Sequence, residues 1–180
     1  MTRVARTALA IDVLVDSGRW KDAEKFELIV RRAVIGAAAM TSTKGAELAI
    51  VLTDDLAIRA LNRDWRGIDK ATNVLSFPSK NAPGHLGDIV LAFETIAGEA
   101  RSQRKPLAHH LAHLAVHGFL HLVGYDHERS KDAIAMEQAE REILRQLAIP
   151  DPYGARSPRP GTAKHLPKRA NRAAKASPRL

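Results

Sequence analysis

Residues 117–127 read HGFLHLVGYDH. His117 and His121 are four apart, so on a helix they share one face, with Cβ atoms about 5–6 Å apart. Two imidazoles so placed can share one zinc ion at roughly 2.0–2.1 Å. A third histidine follows at 127. If the helix continued, His127 would lie about 9 Å beyond His121, at a rise of about 1.5 Å per residue. The chain must therefore break and turn back. Gly124 supplies the break, because glycine adopts positive φ without steric cost. The spacing thus predicts a helix that ends at a metal site formed by His117, His121 and His127. His109, His113, His117 and His121 form a ladder at four-residue spacing. His113 and His117 are a competing pair, but the turn at Gly124 places the third ligand beside His121. His109, His110 and His113 read as structural or surface residues. Three protein ligands leave one coordination position open, which is the catalytic rather than the structural pattern.

The same histidine and glycine spacing occurs in zinc peptidases of the metzincin type, written H-E-x-x-H-x-x-G-x-x-H. Their glutamate is the general base. Here that position is Gly118, which counts against peptide hydrolysis. The chain has no cysteine, so disulfides and thiolate ligands are excluded and any zinc must use His, Asp or Glu. That composition suits a reducing cytosol, and the expected location is cytoplasmic. No stretch approaches the roughly 18 unbroken apolar residues of a membrane helix. The N-terminal apolar run is interrupted by Asp12 and Asp16 and reads as a strand rather than a signal peptide.

With 180 residues, 45% of them hydrophobic, the chain suits one domain with one sizeable core. Its net charge of +8 is unevenly placed. Residues 151–180 carry eight Lys and Arg, one acid and five of the nine prolines. Residues 1–153 therefore read as the folded domain, and 154–180 as a disordered basic tail. Such a tail either attracts nucleic-acid phosphates non-specifically or only aids solubility.

Strands are expected at 8–15, 46–53, 73–78 and 87–92, where Ile, Leu and Val are dense and turn residues follow. A helix capped by Asp22 runs to about Met40, with Phe26, Ile29, Val30, Ala33 and Val34 inward. Thr53 or Asp54 caps a second helix, whose apolar positions are Leu56, Ile58, Ala60 and Leu61. Residues 62–72 lack periodicity and read as a loop. Helices are also expected over 94–104, from Pro106 to about Val123, and from Ser130 with Ile134, Ile143, Leu144 and Leu147 inward. Strands in the first half and helices in the second predict an α+β domain.

The histidine stretch resembles the signature of the YbeY family of bacterial endoribonucleases. ALNRDWRGIDKATNVLSFP (60–78) is similar to that family's upstream block, LGDIVLA (86–92) to its short strand motif, and EREILRQLAIPDPY (140–153) to its close. Together these cover about residues 8–153. Ala71 departs from the proline usual there; the basic tail lies outside the resemblance. The resemblance implies a zincin-like α+β domain, with a small mixed sheet, about five helices and the metal-site helix toward the C-terminal half. It also implies one Zn2+ or another late first-row ion on His117, His121 and His127. The implied activity is metal-dependent cleavage of single-stranded RNA in small-subunit ribosomal RNA 3′-end maturation and ribosome quality control. The implied partners are ribosomal RNA and small-subunit proteins, with no membrane and no DNA. By position, the family's functional arginine falls on Arg66.

The residues are compatible with that chemistry. A metal can acidify water and polarise a phosphoryl oxygen, and the planar fork of an arginine suits an oxyanion. Asp126 and Glu128 flank His127 and can orient a ligand or relay a proton. Asp126 can equally hold the turn, and Asp88 is a further candidate. No general base is assigned. Trp65 and Tyr125 can stack on bases but read first as packing residues. Two other readings stay open: a non-catalytic RNA-binding assembly factor stabilised by metal, and, against Gly118, a zinc peptidase.

Overall fold

The structure is a computed structural model that describes residues 8–80, 82–127 and 129–154. Glu128 and nearly all of the basic tail, residues 155–180, lie outside them. The expected strands form as β1 (Ala10–Val15), β2 (Glu47–Thr53), β3 (Val74–Pro78) and β4 (His85–Ala92). The helices are α1 (Ala23–Met40), α2 (Asp55–Arg66), α3 (Phe93–Ser102), α4 (Leu107–Leu122) and α5 (Ser130–Gln146). The architecture is α+β with a mixed four-stranded sheet. None of the described helices is long and apolar enough to cross a membrane.

The sheet order is β1-β2-β4-β3. The first three are parallel, and β3 joins β4 antiparallel, so β3 is an edge. Alternating side chains divide the sheet into two faces. Leu48, Ile50, Leu52, Ile89 and Leu91 point into the main core with α1, α4 and α5. Leu75, Val90 and Ala92 point the other way and meet Ile58 of α2. Both faces of the sheet are therefore covered, which explains why β4 closes on the apolar run Ile89–Ala92. Trp20 anchors one end of the core, with its indole N–H donating to Thr53 O at 2.8 Å. Its ring lies edge-on to Phe26 and Phe93, with centroids 5.1 and 5.0 Å away.

Several boundaries differ from expectation for physical reasons. The loop predicted at 62–72 is partly helix: α2 continues to Arg66 and ends at Gly67 in a left-handed conformation with φ 71°. The last turn of this helix, residues 62–66, buries only Asn62, so no buried apolar residue marks where it ends. Asn62 serves the core by donating from Nδ2 to Lys70 O at 2.8 Å. Leu56 and Ile134, both expected inward, are 80% and 56% exposed. On α5 the buried face is Met136, Ala139, Glu140, Ile143 and Leu144. Asp22 sits at the start of α1 but makes no side-chain capping bond, whereas Asp54 caps α2 by accepting from the Ala57 amide at 3.0 Å.

That cap predicts a measurable effect. Asp54→Ala is expected to cost about 1 kcal/mol, lowering Tm by roughly 2–4 °C for a domain of this size. The Ala57 amide holds the Asp54 carboxyl below its ordinary 3.8. Its contribution is therefore complete above that pH and is lost as pH falls through the lower, folded value. Melting curves of both proteins at neutral pH and near pH 2 check this, with the gap expected to close in acid.

Candidate metal centre

Helix α4 carries His117 and His121, and the turn after it brings His127 back as expected. Gly124, at φ 94°, sits where the Tyr125 amide donates to Leu120 O at 2.9 Å and the Gly124 amide to His121 O at 3.2 Å. This pair of bonds is a Schellman cap, and it reverses the chain within three residues of His121. The Asp126 side chain then accepts from the His127 amide at 2.7 Å, so this aspartate does brace the turn.

Each of the three histidines offers a ring nitrogen within 4.8 Å of the others, and the group can hold a metal ion. The Nε2 atoms of His117 and His121 are 3.2 Å apart. Two tetrahedral ligands at about 2.0–2.1 Å from one zinc would be about 3.3 Å apart. The other ring nitrogens are already committed. His121 Nδ1 donates to Tyr125 O at 3.0 Å, and a carbonyl can only accept, so the proton must be on Nδ1. His117 Nδ1 donates to Glu140 Oε1 at 2.7 Å. With those protons on Nδ1, each ring turns its Nε2 toward the other, and in the neutral form each carries a lone pair there. Facing lone pairs repel, and a shared cation removes that repulsion. Burial, followed by the charges of His117 and His127, lowers the His121 pKa and favours the neutral, ligating form.

Glu140 is the residue that sequence spacing missed. It lies on α5, 23 positions from His117, and its side chain is 1% exposed. It also accepts from His113 Nε2 at 3.1 Å and from the Tyr153 hydroxyl. Burial opposes its ionisation, but hydrogen bonds from His113, His117 and Tyr153 outweigh that and bring it down to about 2. The signal available in the sequence was an acid at an inward position of an otherwise apolar helix face. His113 thus has the structural role expected of it. His110 is buried and paired with Glu99 at 2.7 Å.

Gly118 answers a different question. A Cβ at this position would lie 2.9 Å from Ile89 Cγ2 and 3.1 Å from Ser76 Oγ, and the Ser76 hydroxyl donates to Gly118 O at 3.1 Å. Helix α4 is pressed against β3 and β4 at the position where a metzincin has its glutamate, leaving no room for that side chain.

The triad opens onto a cleft of about 490 Å³ lined also by Arg66, Asn73, Ser76 and Asp126. Arg66 is the last residue of α2 rather than a loop residue, and it is exposed. Sequence-distant Arg66 and the histidines therefore share one wall. Asp88 is placed elsewhere, 3.4 Å from His85 on β4, and does not line the cleft. Trp65, read first as a packing residue, is 72% exposed and only touches Phe77 edge-on, with centroids 5.7 Å apart.

The sequence pattern of the Endoribonuclease YbeY family matches residues 15–148. The chain belongs to the YbeY endoribonuclease family. Relatives named Endoribonuclease YbeY include one from Rhodopseudomonas palustris, 54% identical over 154 residues, covering 80% of this chain and 92% of its own. One from Nitrobacter hamburgensis is 54% identical over 80% of this chain and 82% of its own. One from Bradyrhizobium diazoefficiens is 51% identical over 84% and 87%. A solution structure of a Thermotoga maritima protein aligns with 84% of this chain and 99% of its own, at 22% identity and a TM-score of 0.49.

Two predictions follow from this geometry. Glu140→Ala removes the acceptor that orients His117 and is expected to weaken zinc binding about 10- to 100-fold. Glu140→Gln keeps an acceptor oxygen and should lose less; competition against a chromophoric chelator, with circular dichroism to verify folding, reads both. Gly118→Ala inserts a methyl into packed space and should destabilise the fold by about 1–3 kcal/mol, measured by urea unfolding.

Proposed function

We propose that this protein is a metal-dependent endoribonuclease that cuts single-stranded RNA, with His117, His121 and His127 holding one Zn2+ or another late first-row ion. Arg66 is the phosphate clamp. Its biological setting is small-subunit ribosomal RNA 3′-end maturation and ribosome quality control in the cytoplasm, with ribosomal RNA and small-subunit proteins as partners. Membership in a family of endoribonucleases supports the reaction class. The observation that carries the residue assignment is the single cleft shared by an exposed arginine and three histidines, two of which aim their Nε2 lone pairs at one point.

A divalent ion at this triad would supply Lewis-acid chemistry, polarising a phosphoryl oxygen and easing proton loss from the attacking nucleophile, water or a ribose 2′-hydroxyl. The chain's own groups do the rest. Glu140 and the Tyr125 carbonyl hold the two helix imidazoles in the ligating tautomer. Arg66 offers paired N–H donors to phosphate oxygens, whose negative charge grows as the bond breaks. The packed Gly118 leaves no carboxylate where a peptidase holds its base, so peptide hydrolysis lacks its proton acceptor.

The test uses the full chain with short single-stranded RNAs and, separately, a peptide library. RNA cleavage is expected, abolished by chelator and by His117→Ala. Arg66→Ala is expected to lower kcat/KM by about a hundredfold or more while leaving metal content unchanged. Peptide cleavage, or RNA cleavage indifferent to both substitutions, would overturn the reading.

A further inference from the structure

A second cavity of about 440 Å³ adjoins the metal cleft, and Asn73, Val74 and His117 line both. Its size falls within the range of about 300–1,000 Å³ usual for small-ligand pockets. Of the polar side chains that distinguish it from the cleft, His113 and Tyr153 hold Glu140 behind His117, while Glu99, Gln103, Lys105 and His110 have no part in the metal chemistry. Glu99 is fixed in its wall: its oxygens accept from Asn73 Nδ2 at 3.2 and 2.9 Å and from His110 Nε2 at 2.7 Å. Each carboxylate oxygen has about two lone-pair sites, so acceptor capacity remains. Lys105 is also held, its ammonium donating to Pro152 O at 2.7 Å, with two further N–H groups available. Gln103 adds an amide at the rim. Flat surface comes from Tyr153 and His113, whose rings meet edge-on with centroids 5.6 Å apart. His110 gives its Nε2 proton to Glu99, and its buried Nδ1 has no partner among the described residues.

We infer that this cavity is a nucleobase subsite, which receives the base next to the scissile phosphate when that phosphate lies at the histidine triad. This rests on the endoribonuclease reading and extends it to how the strand is held. The anionic Glu99 repels a phosphate, so the pocket does not simply continue the backbone track. A fixed acceptor and a fixed donor lining one cavity with two aromatic rings suit the edge of a base, where N–H donors adjoin carbonyl or ring-nitrogen acceptors. The shared His117 wall makes the base pocket and the phosphate site immediate neighbours, as they are along an RNA strand. His110 and His113 thereby gain a purpose: they shape this pocket.

The test is an abasic scan. The full-length protein is given a set of single-stranded seven-nucleotide RNAs, each lacking one base, and kcat/KM is compared with that for intact RNA. In the native protein, loss of the one base beside the cut is expected to reduce kcat/KM about tenfold, equivalent to about 1.4 kcal/mol. Glu99→Gln should show a similar loss on intact RNA and no further loss on the abasic RNA. Gln103→Trp obstructs the pocket from an exposed position and should repeat that non-additive pattern even if Glu99→Gln fails to fold. Additive losses, or equal sensitivity at every base, would overturn the subsite while leaving the endoribonuclease reading intact. A native protein that cuts no RNA would overturn both.

Discussion

Helix α4 lies so close to β3 and β4 that residue 118 has no room for a side chain. This contact fixes the depth at which the metal helix sits. It allows the Ser76 hydroxyl to tie the edge strand to the Gly118 carbonyl, and it places Val74 and Ser76 beside the histidines as one wall of the cleft. It also removes the side chain on which zinc peptidases rely for proton transfer. One close approach therefore positions the ligands and narrows the chemistry they can serve.

Much of this arrangement was legible in the sequence, because it depends on local spacing. The four-residue interval between His117 and His121 survives in any helix, and Gly124 signalled the turn that returns His127. Asp54 capped its helix as predicted, and the strands emerged from their density of branched apolar residues. The failures share a cause. Residues 62–66 are helical, but this last turn of α2 buries only Asn62, so no buried apolar residue marked it. Ile134 and Leu56 have the right residue type, yet among the described residues they stay exposed. Glu140 was invisible as a site residue because its meaning comes from α5 crossing α4, a tertiary event that no periodicity encodes. The second cavity is likewise assembled from β3, α3, α4 and the segment after α5, and no short motif spans them.

The electrostatics have a consistent direction. The rings of His117 and His121 are aimed by acceptors behind them, while the cleft itself offers Arg66 to an anion. The negative charge of Glu140 is withdrawn to the far side of His117, where three donors surround it. A phosphate approaching the cleft thus meets the Arg66 cation, while Asp126, the carboxylate that also lines it, accepts from the His127 amide.

Glu140 also joins two parts of the chain that are otherwise separate in sequence. Its carboxylate bridges α4 and the Tyr153 hydroxyl that follows α5. An ion bound by His117 steadies the imidazole that Glu140 grips, and docking of the C-terminal helix steadies the same imidazole from behind. The two events are thermodynamically linked, and linkage is reciprocal. Whatever loosens the last helix must lower affinity for the ion, and filling the site must protect that helix from opening. The end of the domain can therefore report on metal occupancy at a distance, through a single buried carboxylate.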